Sequence, residues 1–179
     1  IDHVLVETER CLSTYHATSE IALLNRDESR SWQDVSPTLF VVLKEAHDVS
    51  ELTGGSFDVT VAPLLELWGH KPDSSGVLGR MILLPPTSDQ LKQAHKSVGY
   101  AKLELRSAPR LSVRKSASGM RLTVDGIAPG YAVDRIATEL QALGHANFIV
   151  EIGGEVRAAG QRPEGGPWQL GIEDPDGGP

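Results

Sequence analysis

Apolar residues recur at helical spacing in three separate stretches of this chain, and elsewhere the spacing changes to that of strands joined by short turns. In residues 2–16 the inward candidates include Leu5, Leu12 and Tyr15. The second stretch carries Leu39, Val42, Leu43, Ala46, Val49 and Leu52; Ser36-Pro37 opens it and Gly54-Gly55 stops it. The third carries Val133, Ile136, Ala137, Leu140 and Leu143, from Pro129 to Gly144. Such spacing places the apolar set on one helix face. Serine before proline is a helix start, and glycine is a helix stop. Residues 101–105, 111–114 and 120–124 read as antiparallel strands separated by turns. Phe148 to Ile152 reads as a buried strand, turned by Gly153-Gly154 into a hairpin partner, Glu155 to Ala159. Strands that follow one another point away from a doubly wound sheet, in which each strand alternates with a helix. The predicted class is therefore α+β, an antiparallel β-sheet core flanked by helices.

The connecting segments follow from local signals. Ser19 is the predicted N-cap of a short helix from Glu20 to Asn25, and residues 26–35 are polar and loop-like. Phe57 to Val61 reads as a short strand or an ordered loop, and Pro63 to Trp68 as a helical turn. Residues 70–86, rich in proline, glycine and serine, read as an exposed loop, after which Thr87 caps a helix that runs to Val98. Trp168 to Glu173 is a predicted strand. The chain opens inside an amphipathic pattern, with no visible signal peptide, and stops at Asp-Gly-Gly-Pro, so both ends are expected to be cuts in a longer protein.

Composition narrows the function classes. At 179 residues and 40% hydrophobic content the chain can bury a core. Its 17 Lys and Arg against 24 Asp and Glu give a formal charge of −7, which argues against nucleic acid as a partner. No run approaches the length of a transmembrane helix. The one cysteine, Cys11, cannot pair within the chain and reads as a small core residue, and no Cys/His zinc spacing is present. The six histidines are scattered and read as solvated, and no Ser-His-Asp order, nucleophile elbow or H-E-x-x-H motif occurs.

Four stretches place polar groups where chemistry needs them. The first is Ser13-Thr14-Tyr15 with Thr18-Ser19-Glu20-Ile21 and Asn25; a capped second helix explains Ser19, and Tyr15 is open to a core or a ligand role. The second runs from Thr53 through Gly54-Gly55-Ser56-Phe57-Asp58 to Thr60. Paired glycines let a ligand approach the backbone, and Ser56 and Asp58 suit ribose or base edges, but a helix C-cap followed by an Asx turn explains the same residues. The third, Thr123 to Asp134, is a strand, a glycine turn at Gly126 and a helix N-terminus. That arrangement favours a phosphate, with Asp125 placed to cap the helix or to meet a metal; a capped βα turn is the plainer reading. The fourth, Glu151-Ile152-Gly153-Gly154-Glu155, offers two carboxylates for a base or a metal, or two solvent-facing glutamates.

Taken in order, these stretches resemble the FAD:protein FMN transferases, the ApbE family, long labelled thiamine-biosynthesis lipoproteins. The landmarks are S-T-Y-x-x-x-S-E-I with Asn25, T-G-G-S-F-D-V-T-V-x-P-L with Trp68-Gly69, Val98-Gly99-Tyr100, G-I-A-x-G-Y-A-V-D, E-I-G-G-E and P-W-x-x-G-I-E-D-P. The resemblance runs along the whole chain and implies one α+β, ApbE-like (T-fold-related) flavin transferase domain over residues 1–179, incomplete at the C-terminus. It implies Mg²⁺-dependent transfer of FMN from FAD to a threonine hydroxyl of an acceptor flavoprotein, with release of AMP. It further implies that Tyr15 lies against the flavin and that Ser56, Phe57 and Asp58 contact FAD. Thr123, Asp125 and Pro129 would line the pyrophosphate, and the Gly126 backbone carbonyl would lie near the metal. Location in the periplasm, or at a membrane through a lipid anchor, is the family's habit.

Three departures from the pattern stand out. Thr123 replaces the usual Asp and Asp125 the usual Gly, as if the carboxylate had moved two positions along one strand face. Pro129 replaces the usual Lys, which removes a cation and an N–H donor. The family's His-containing motif and its Asp-Ala-x-x-Thr-Ala motif, which bring the remaining metal ligands, fall beyond this chain, so the catalytic residues are expected there. A flavin-binding or FAD-hydrolysing relative without transfer, or an inactive fragment, are the alternative readings.

Overall fold

Serine hydroxyls start two of the helices that build the core. Ser19 accepts a hydrogen bond from the Ala22 N–H, and Ser36 accepts one from Leu39. Each satisfies an amide that has no partner in the first helical turn. The computed structural model describes residues 1–70 and 85–172. The loop expected at 70–86 thus lies almost wholly outside the described residues, as do Glu173 and the rest of the last landmark.

Two compact units are present, one of Asp2–Ala128 and one that begins at Pro129. In the first, α1 (Asp2–Leu12) contacts α2 (Glu20–Arg26) and α3 (Pro37–Leu52), and α4 (Ala62–Leu67) contacts α5 (Ser88–His95). Cys11, Leu12, Ile21, Leu24, Leu39 and Leu43 are buried, each large side chain contributing about 1.5–3 kcal/mol of transfer free energy. Cys11 is the small core residue that its neighbours suggested. Two expected inward residues of the first stretch are not inward. The first helix ends at Leu12, three residues before Tyr15, and Leu5 is 42% exposed. Leu52, in the last turn of α3, is 87% exposed, because the chain leaves the core at Gly54-Gly55, both in the left-handed region.

The sheet of this unit has the order β1 (Gln33–Asp34), β3 (Ser112–Lys115), β2 (Leu103–Arg106), all antiparallel. Its third strand is a correction. Residues 26–35 contain β1 rather than loop alone, whereas residues 120–124 form no strand. Met120, Leu122 and Val124 are buried, as strand alternation requires, yet the backbone bonds go elsewhere. Asn25 Nδ2 donates to the Leu122 carbonyl at 2.8 Å, and the Leu122 N–H donates to Asn25 Oδ1 at 2.7 Å. The Thr123 N–H donates to the Val59 carbonyl. One side-chain amide thus does the work of a neighbouring strand.

Lys115 is a buried cation of this sheet. Its Nζ donates to the Leu24 carbonyl at 2.6 Å and to that of Asn25 at 3.2 Å. These are last-turn carbonyls of α2, the end of a helix that favours positive charge. Burial pushes the ammonium pKa down, partly offset by Asp27 and Glu28. On the opposite face the guanidinium carbons of Arg106 and Arg114 lie 4.4 Å and 5.0 Å from the Trp32 ring centroid.

In the second unit, α6 (Ala128–Ala142) starts one residue before the expected Pro129. Ala132, Val133, Ile136 and Ala137 are buried, while Leu143 lies past the helix and is exposed. Strands β4 (Phe148–Ile152) and β5 (Glu155–Ala159) form the expected hairpin, with Ile152 opposite Glu155. Only Phe148 of β4 is fully buried, against the expectation of a buried strand. Residues 168–172 form no strand; the Trp168 indole N–H donates instead to the Ala159 carbonyl at 2.8 Å, beside a bridge between Gln161 and Pro167. Among the described residues, no helix is long and apolar enough to cross a membrane.

Candidate functional site

Where α3 ends, Thr53 folds the chain back. Its hydroxyl donates to the Val49 carbonyl and accepts from the Phe57 N–H, while the Gly55 N–H donates to the Ser50 carbonyl. The loop that results, Gly55 to Val59, forms one wall of a pocket of about 450 Å³. Thr123, Asp125 and Gly126 form the facing wall, and Val61, Leu64, Leu65, His95 and Val98 supply the remainder. The Thr123–Val59 backbone bond, 2.8 Å long, joins the two walls. At Gly126 the walls come close enough that a Cβ there would sit 3.4 Å from the Phe57 ring.

The carboxylates are arranged differently from one another. Asp58 Oδ1 accepts from the Thr60 N–H at 2.8 Å and from the Thr60 hydroxyl at 2.7 Å; its Oδ2 accepts from the Tyr100 N–H at 2.9 Å. This is the Asx turn that the plain reading of the stretch anticipated, with a long-range bond added. Asp125 is exposed, and its Oδ1 accepts from the Thr14 hydroxyl at 2.9 Å. It is engaged by a side chain 111 positions away rather than by the helix N-terminus, where Ile127 and Ala128 donate to the Val124 carbonyl. Tyr15, 43% exposed, follows Thr14; partial burial raises its phenol pKa, and the Asp125 charge raises it further.

Of the residues singled out from the sequence, the structure therefore gathers Ser56, Phe57, Asp58, Thr123, Asp125 and Gly126 around one pocket and bonds Thr14 to Asp125. Pro129 lies in the other unit, as the second residue of α6. Glu151 and Glu155 are exposed on the β4–β5 hairpin of that unit. His95 is exposed, as expected of a solvated histidine, and it also borders the pocket, a position with no local signal. Among the described residues no group of three or more His, Cys, Asp or Glu gathers to hold a metal ion. The donors at the 123–126 wall are oxygens instead: the Asp125 carboxylate, the Thr14 and Thr123 hydroxyls and backbone carbonyls.

The ApbE family model matches this chain over residues 1–179. The chain belongs to the ApbE family. An FAD:protein FMN transferase of Haemophilus influenzae is 33% identical over 177 residues, covering 98% of this chain and 49% of the relative. One of Vibrio cholerae is 34% identical over 175 residues, covering 98% of this chain and 50% of the relative. The structure of the flavin transferase ApbE from Vibrio cholerae superposes with a TM-score of 0.88 at 34% identity, over 97% of this chain and 53% of that one. The apo form of the Pseudomonas stutzeri flavinyl transferase ApbE gives 0.87 at 30% identity, over 99% of this chain and 53% of that one. The α+β fold with antiparallel sheets and flanking helices is therefore that of ApbE proteins. The chain spans about half the length of the curated relatives that it matches.

Proposed function

We propose that the protein carrying these residues transfers FMN from FAD to a threonine hydroxyl of an acceptor flavoprotein, with Mg²⁺ bound and AMP released. In that reaction the threonine oxygen bonds to the FMN phosphorus, and the bond from that phosphorus to the bridging oxygen breaks. The bridging oxygen leaves with AMP, and the hydroxyl proton passes to solvent or to a base. The observation that carries this reading is the pocket in which the Ser56-Phe57-Asp58 loop faces Thr123, Asp125 and Gly126, with Thr14 bonded to Asp125. The names of the relatives supply the reaction class.

Each group has a part in this account. Tyr15 and Phe57 offer aromatic surface to the flavin, Ser56 offers a hydroxyl to its polar edge, and the 123–126 wall faces the pyrophosphate. The fit of a metal to that wall rests on its donors, since Mg²⁺ takes oxygen ligands and is usually held by one or two carboxylates together with substrate phosphates. Asp125 and the Gly126 carbonyl would hold it, and bound there it would withdraw charge from the phosphate oxygens. Asp125 takes the place of the carboxylate missing at Thr123. The protein is further proposed to act as a single flavin transferase domain in the periplasm or at a lipid-anchored location, on the strength of family resemblance alone.

Pro129 favours a second reading, an FAD-binding or FAD-hydrolysing relative, because it offers neither a cation nor an N–H to the phosphates. Incubation of the full-length protein with FAD, Mg²⁺ and a threonine-bearing acceptor separates the two. The transferase account expects flavin fluorescence that stays with the acceptor under denaturing conditions and disappears when the target threonine is replaced by alanine. Release of free FMN and AMP without labelling contradicts it and supports hydrolysis.

A further inference from the structure

Thr60 touches nothing in the pocket, yet it is fully buried and joins two segments that line or border the cavity. Its hydroxyl hydrogen goes to Asp58 Oδ1 at 2.7 Å, and its lone pairs accept from the Gly99 N–H at 2.7 Å. One residue on, the Tyr100 N–H donates to Asp58 Oδ2 at 2.9 Å. Asp58 and Thr60 thus take up the amides of two consecutive residues, 42 and 39 positions along the chain. Gly99 presents its N–H from φ +134, a conformation that other residues rarely adopt. The same contact brings the Tyr100 ring to Gly55, where a Cβ would lie 3.4 Å from it, and sets that ring edge-on to His47 at 5.6 Å between centroids. Val59, between Asp58 and Thr60, carries the carbonyl that binds Thr123 of the facing wall.

We infer that Thr60 is a positioning residue, which with Asp58 forms a buried clamp that fixes the 55–59 loop at the spacing from the 123–126 wall that FAD requires. The inference rests on the reading of this pocket as the FAD site. Three of the four lone-pair directions of the Asp58 carboxylate are used by Thr60 and Tyr100, so its main task is to hold the loop, and the ligand-facing groups of the loop are Ser56 and Phe57. A hydroxyl is required at position 60 because it both donates and accepts there. Valine has the same shape and does neither. Small displacements of binding groups have large consequences, since a shift of 1 Å can cost up to about 100-fold in rate.

The test measures FAD affinity of the full-length protein with Mg²⁺, by flavin fluorescence, at a temperature where every variant is folded by circular dichroism. Thr60→Val is expected to weaken FAD binding by about tenfold or more, Thr60→Ser to bind as the unsubstituted protein does. Asp58→Asn keeps one acceptor oxygen but turns an NH₂ towards an N–H or a hydroxyl hydrogen, and is expected to weaken binding similarly. The double variant should be little weaker than either single one, because both break one unit. Amide exchange at Gly99 and Tyr100 should quicken in Thr60→Val. Unchanged affinity in folded Thr60→Val, with only a lower melting temperature, would overturn the inference. Weakening in Asp58→Asn alone would overturn it too, by making Asp58 a direct ligand contact. If the unsubstituted protein binds no FAD, the site reading itself falls and the clamp is structural only.

Discussion

Replacing Asn25 with alanine is expected to lower the unfolding free energy of the full-length protein by about 2–4 kcal/mol. The Asn25 amide makes both bonds that the Leu122 backbone makes across this junction, at 2.7 and 2.8 Å, and Leu122 is buried. Alanine leaves a buried N–H and a buried carbonyl without partners, and each such orphan costs about 1–3 kcal/mol. Asn25→Asp retains the acceptor for the N–H but sets a second oxygen against the Leu122 carbonyl, so it should cost at least as much. Urea denaturation followed by circular dichroism reads both. A loss within 0.5 kcal/mol, the usual range of an inert surface substitution, would contradict this role for Asn25. The consequence reaches the pocket, because Leu122 is followed directly by Thr123 and the 123–126 wall.

The second large effect concerns Asp125. Asp125→Ala in the full-length protein is expected to abolish the part of the FAD affinity that Mg²⁺ adds, a loss of about 10- to 100-fold, the scale typical of a removed metal-site partner. Metal-independent binding should change much less, since the aromatic surface proposed for the flavin at Tyr15 and Phe57 is untouched. Asp125→Asn separates charge from shape: it can still accept from the Thr14 hydroxyl, but it offers the metal no anion. Both variants are expected to lose the Mg²⁺ effect. An unchanged affinity in either would remove Asp125 from the site and leave the substitution of Asp by Thr at position 123 uncompensated.

The parts of the fold that were legible in the sequence are those set by local chemistry. Ser19, Ser36 and Thr87 each cap the helix that they were expected to cap, because an N-cap needs only a hydroxyl and the next three residues. The alternation of Met120, Leu122 and Val124 correctly gave the buried face, but burial alternation does not say which group fills the hydrogen bonds. The real third strand, Gln33–Asp34, is two polar residues long and carries no apolar pattern, so it had no signal. Leu5, Leu52 and Leu143 fit helical spacing yet are exposed, since periodicity marks a face and not where the helix leaves its neighbours.

The candidate site divides in the same way. The glycine-flanked motifs at 54–58 and 125–130 were visible because close approach to the backbone requires glycine at fixed offsets. Which groups within them face the pocket was not visible. Asp58 Oδ2 accepts from an amide 42 residues away, and Asp125 is held by Thr14 from 111 positions away. Such pairings depend on tertiary closure and leave no trace in local spacing. The same holds for His95, which the α4–α5 contact brings to the pocket wall.

The most direct test of the account is an FAD titration of the full-length protein with and without Mg²⁺, followed by flavin fluorescence and melting temperature. Binding to the folded state must raise the melting temperature, by an amount that grows with ligand concentration over the dissociation constant. The account predicts saturable FAD binding that Mg²⁺ strengthens, with a matching rise in melting temperature. No binding and no stabilisation under either condition would contradict it, and would mark Thr123 and Pro129 as signs of a site that no longer holds flavin.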